Sequence, residues 1–137
     1  MMSIKNCFRL LVCLIIFALC FANLIQDIQS HHADTIVISP SGRFLIESVP
    51  VNGVIMPWGG MSYLRITDIE NPISSYRTPL YETQHLDMRA HEDANTVGIY
   101  WIDFSKSENT FEISIPSWEN HWLNTFVSNT PYTVLPN

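Results

Sequence analysis

The chain has 137 residues, 47% of them hydrophobic and 15% charged, with a formal net charge of minus six. Its seven basic residues stand singly along the chain, so it lacks the Lys and Arg clusters that nucleic acids or anionic lipid surfaces demand. All three cysteines, Cys7, Cys13 and Cys20, fall in the first twenty positions, which excludes an internal disulfide or a thiol nucleophile from everything downstream.

The N-terminus reads as an export signal. Lys5 and Arg9 form a positive start, residues 10–21 an apolar core, and Cys20-Phe21-Ala22 places small residues where a signal peptidase needs them. The expectation is a signal peptide over residues 1–22. An uncleaved anchor is the alternative, because the apolar run 10–25 approaches the roughly 20 residues that cross a bilayer. A lipid on Cys20 is disfavoured by the bulky Leu19 before it. Cleaved or anchored, the remainder is expected outside the inner membrane, in the periplasm or secreted, with no membrane contact after cleavage.

Removing residues 1–22 leaves 115, the size of one domain, and five basic residues against thirteen acids. A cysteine-free domain of this kind suits the bacterial periplasm. Its acidic surface favours solubility or a cationic protein partner.

Residues 23–34 show no periodicity and read as a flexible tether, leaving 35–137 as a β-rich globular domain. Thr35–Ile38 is β-branched, Ser39-Pro40-Ser41-Gly42 has turn chemistry, and 43–49 alternates, which predicts a hairpin. Residues 50–60 hold two prolines and three glycines around Met56 and Trp58, so they read as a loop. Strands are predicted over 62–69 and, more weakly, 80–82. Residues 96–104 are apolar on both faces, as one central strand covered on two sides would be. Residues 110–115 alternate, with Phe111, Ile113 and Ile115 facing in.

After Pro116 the period changes. Trp118, Trp122 and Phe126 recur at four-residue spacing, Ser117 is placed to cap, and Asn129 and Pro131 close the segment, which predicts a helix. Residues 130–135 read as a final edge strand. The fold expected is mainly β, a single small antiparallel sheet or sandwich of about six to seven strands with one C-terminal α-helix.

A search for catalytic patterns returns fragments. Gly60-Met61-Ser62-Tyr63-Leu64 lacks the second glycine of a nucleophile elbow, and His91-Glu92 lacks the second histidine of a zinc-protease helix. No glycine-rich phosphate loop is present. No enzyme, cofactor or metal is therefore expected. Residues 82–93 are the most chemical stretch: Glu82, Asp87, Glu92 and Asp93 make an acidic loop suited to a protein partner. Within it, His85, Asp87 and His91 offer an alternative small-ligand, metal or acid/base site. Trp58, between a proline and two glycines, is either a core plug or a binding anchor.

The segments Ser39-Pro40-Ser41-Gly42-Arg43-Phe44, Tyr63-Leu64-Arg65-Ile66 and Val97-Gly98-Ile99-Tyr100-Trp101 together resemble small exported proteins of Gram-negative bacteria with a domain of unknown function. Some of those look like periplasmic immunity proteins of secreted antibacterial toxins. The Ser-Pro-x-Gly turn is also the signature of β-propeller hairpins. The resemblance implies a periplasmic binding protein that blocks a toxin, with Trp58, Glu82, Asp87, Glu92 and Asp93 at the contact. It carries no catalytic residues and leaves the oligomeric state open.

Overall fold

A proline-free sequence from Ile4 to Ser30, apolar through its middle and polar at both ends, forms one helix of 27 residues, α1. This computed structural model describes residues 1–136, and the chain divides into two units, Met1–Ser30 and His31–Asn137. The helix is long and apolar enough to cross a membrane, a test that a signal sequence near the N-terminus also passes. It runs past residue 22, and residues 23–30 form its last turns.

The second unit is two five-stranded sheets. The first contains β1 (Thr35–Ile38), β2 (Phe44–Val51), β3 (Met61–Asp68), β4 (Ser75–Arg77) and β5 (Tyr81–Glu82). Strands β1 to β4 lie side by side in chain order, and β5 pairs with the start of β3. The predicted hairpin is present: Gly42 takes a φ of 79° to close the turn, and the Ser39 hydroxyl accepts from the Phe44 amide at 3.1 Å.

The second sheet runs in the order β10 (Tyr132–Val134), β9 (Thr110–Ile113), β8 (Ile102–Ser105), β7 (Thr96–Ile99), β6 (His91–Glu92). All its pairings are antiparallel except the edge strand β10, which lies parallel to β9.

Alternation explains the packing. Phe44, Ile46, Leu64 and Ile66 from the first sheet share one buried cluster with Val97, Ile99, Ile102, Phe104, Phe111 and Ile113 from the second. The sheets therefore face one another across a single core, as in a sandwich. Tyr76 of β4 meets Phe104 of β8 with ring centroids 4.6 Å apart, and Phe104 meets Phe111 at 5.1 Å.

Three expectations are corrected. Residues 96–104 are not one central strand but a hairpin, in which Ile99 pairs with Ile102 around Tyr100-Trp101. The reversal puts Val97, Ile99, Ile102 and Phe104 on the same inner face, which is why the run looked apolar on both sides. Gly98 marks a close backbone approach within the hairpin, since a Cβ there would stand 2.0 Å from the Ile102 carbonyl oxygen.

The C-terminal helix contracts to one turn, α2 (Asn124–Val127). Ser117 adopts a φ of 56° instead of capping, and the Trp118 indole Nε1 donates to the Leu80 carbonyl at 2.9 Å. Asn124 accepts from the Leu80 amide at 2.8 Å through its side chain. These tertiary bonds outweigh the helical spacing of the aromatics, because propensity is a weak prior. Finally, the sheets hold ten strands rather than six to seven. The additional ones include β4 and β6, which are too short to show a period.

Candidate functional site

The outer face of the second sheet is built from the polar half of each alternation. Register places His91, Gly98, Asp103, Glu112 and Thr133 in one row across the five strands. A second row contains Thr96, Ser105 and Thr110. A shallow groove of about 400 Å³ lies over this face, lined by Thr96, Asp103, Ser105, Glu108, Thr110 and Glu112 among others.

Asp103 and Glu112 sit directly opposite one another. Like charges at directly opposed positions are unfavourable in a sheet. Burial pushes the Asp103 carboxyl up, Asp93 adds to the effect, and His91 opposes it. His91 reaches Asp103 across the strand between them, with Nε2 to Oδ1 at 2.8 Å, over Gly98, which has no side chain to block it. The nearest primary amine is committed elsewhere: Lys106 Nζ donates to Glu92 Oε1 at 2.8 Å and to the Asp93 carbonyl at 2.7 Å. Among the described residues, Glu112 has no ion-pair partner.

The residues expected to meet a partner lie in separate places. Glu92 points to the inner side of β6 with its side chain 6% exposed. Its carboxylate accepts from the Ser41 amide and hydroxyl, both at 2.9 Å, and from Lys106. It thus ties the β1–β2 turn to the second sheet. Burial would raise its pKa, but the bonds from Lys106 and Ser41 prevail and hold it at about 2. Asp93 closes a turn by accepting from the Asn95 and Thr96 amides at 2.7 Å, which lowers its pKa. Asp87 is lowered by Arg89, whose guanidinium also stacks 4.9 Å over Tyr100.

Glu82 is half exposed and receives a hydrogen bond from Gln84. Trp58 is 93% exposed in the β2–β3 loop. Of the two readings of that residue, the core plug is excluded by its exposure.

His85, Asp87 and His91 do not converge. His85 Nδ1 lies 3.8 Å from Glu82, Asp87 is held by Arg89, and His91 belongs to the outer row of the second sheet. Among the described residues, no group of three or more His, Cys, Asp or Glu side chains is arranged to hold a metal. His85 does line a cleft of about 200 Å³ with Tyr81, Glu82, Trp118 and His121.

Sequence reasoning missed Asp103, Glu108 and Glu112. The clean alternation of 110–115 had already placed Glu112 outside, but Asp103 was hidden by the reading of 96–104 as a single strand. Comparison of the chain with protein-family models, curated proteins and solved structures found no match.

Proposed function

We propose that the domain is an exported binding protein that takes a basic protein partner on the outer face of its second sheet. The partner fits the description of a secreted antibacterial toxin, and the domain that of its periplasmic immunity protein. The observation that carries this reading is the facing pair Asp103 and Glu112, for which His91 is the one ion-pair partner among the described residues. A Lys or Arg side chain entering the groove would relieve the repulsion, and complementary charge would steer encounter. Export is supported by α1, whose apolar length fits a signal sequence or an uncleaved anchor alike. Of the acids expected at the contact, Glu92 acts as an internal strut, so the reading moves from residues 82–93 to β8 and β9.

The test is affinity capture of the chain from an envelope extract. A basic protein should be retained in stoichiometric amount and be lost when Asp103→Lys and Glu112→Lys are combined. Retention by the double variant would overturn the reading. A small-ligand function is the second reading, supported by the cleft that places His85 and His121 beside Trp118. It predicts that His85→Ala alone abolishes the phenotype while charge reversal at Glu112 leaves it intact.

A further inference from the structure

The β2–β3 connection, residues 52–60, contains no charged side chain and exposes Val54 at 82% and Trp58 at 93%. Gly53, Gly59 and Gly60 all take positive φ, and the Gly59 amide donates to the Met56 carbonyl at 3.0 Å. The turn thus holds the apolar residues outward. Water gains nothing from this display. An apolar, aromatic, uncharged loop standing clear of an otherwise acidic domain has the composition of a membrane-interface anchor, where tryptophan is enriched.

Where the loop lies in the domain names its occupant. The chain enters the second unit at His31, whose carbonyl accepts from Arg65, and the Asp34 amide donates to the Ser48 carbonyl. Ser48 is three residues from the end of β2 at Val51, after which the loop begins, so entry point and loop root are only about 10 Å apart along the strand. Between the end of α1 at Ser30 and the start of β1 at Thr35 there are four residues, 31–34. Fully extended, they span about 15 Å. A bilayer that retains α1 therefore keeps this end of the sandwich within a short reach of its surface.

We infer that the chain keeps α1 as a membrane anchor and that Val54 and Trp58 insert into the outer interface of the same bilayer. The helix supplies attachment, and the loop fixes which end of the domain faces the lipid. The acidic groove carries no part of this inference, so it stands or falls independently of the partner proposed above.

The experiment uses the full chain reconstituted through its own helix into phosphatidylethanolamine–phosphatidylglycerol vesicles, with and without dibrominated acyl chains. Trp58→Phe removes one indole while preserving an apolar ring, and the position is exposed enough for the variant to fold. The difference between wild-type and variant emission isolates Trp58. The expected result is a blue-shifted Trp58 emission that loses most of its intensity to the brominated lipid. Emission at the wavelength of a water-exposed indole, unquenched by bromine, would overturn the inference, as it would if a soluble protein rather than lipid covers the loop. Intact-mass measurement of the chain from native membranes is the second arm: residues 1–22 should be present, and a chain beginning near Asn23 would overturn it as well.

Discussion

Glu92 and Glu112 are both glutamates on short strands of the same sheet, yet they play opposite parts. Glu92 is buried, accepts from an amide, a hydroxyl and an ammonium, and locks a turn of one sheet to the edge of the other. Glu112 is exposed, faces another carboxylate and has no cationic partner among the described residues. The difference is one of face: each residue follows the alternation of its strand, one inward and one outward. An acid that satisfies three donors serves the fold, whereas an acid set against its like is free to serve a partner.

The largest expected effect tests the first half of that contrast. Glu92→Ala leaves the Ser41 amide and the Lys106 ammonium without their acceptor, and should destabilise the domain by about 3 kcal/mol in urea unfolding. A loss no greater than that of an ordinary surface substitution would remove Glu92 from its role as a strut. Gly98→Ala comes next. With a Cβ 2.0 Å from the Ile102 carbonyl oxygen, the β7–β8 hairpin must shift, at a cost of about 2 kcal/mol. It should also loosen the reach of His91 to Asp103, visible in the imidazole chemical shifts.

Acid sharpens the comparison further. The Glu92 carboxyl titrates at about 2 in the folded domain and at 4.5 ordinarily. A lowered folded value contributes stability that is fully present above pH 4.5 and is lost as pH falls toward about 2. Glu92→Gln should flatten the stability profile in that window. Asp103 works in the other sense. Its carboxyl is raised in the fold, chiefly by burial, so ionising it costs stability as pH rises past its ordinary 3.8. Asp103→Asn should remove that component of the profile.

The smallest effect is the most discriminating. Glu112→Gln relieves the cross-strand repulsion and should stabilise the isolated domain by about 0.5 kcal/mol while weakening capture of a basic partner. A substitution that improves the fold and impairs binding marks a functional position. If Glu112→Gln destabilises the domain instead, the facing acids are part of the architecture.

How much of this was legible in the residues depends on whether a local pattern and its tertiary setting agree. The hairpin around Ser39-Pro40-Ser41-Gly42 was readable because turn chemistry and alternation point the same way. Strands β3 and β9 were readable for the same reason. The Tyr100-Trp101 turn was not, since it is made by two aromatics with no Asn or Gly between the paired isoleucines. The C-terminal helix was misread because Trp118 and Asn124 spend their polar atoms on Leu80, a contact that no window of sequence contains. The site followed the same logic. Sequence proximity grouped His85, Asp87 and His91, but strand register joined His91 to Asp103 instead.

The two sheets are consecutive in the chain, the first complete by Glu82 and the second beginning at His91. Translation thus delivers one half-sandwich before the other. Phe44, Ile46, Leu64 and Ile66 stay wet until β7 to β9 arrive to cover them. Such a polypeptide cannot close its core until most of it has been made, and an apolar sheet face waits uncovered for the same interval.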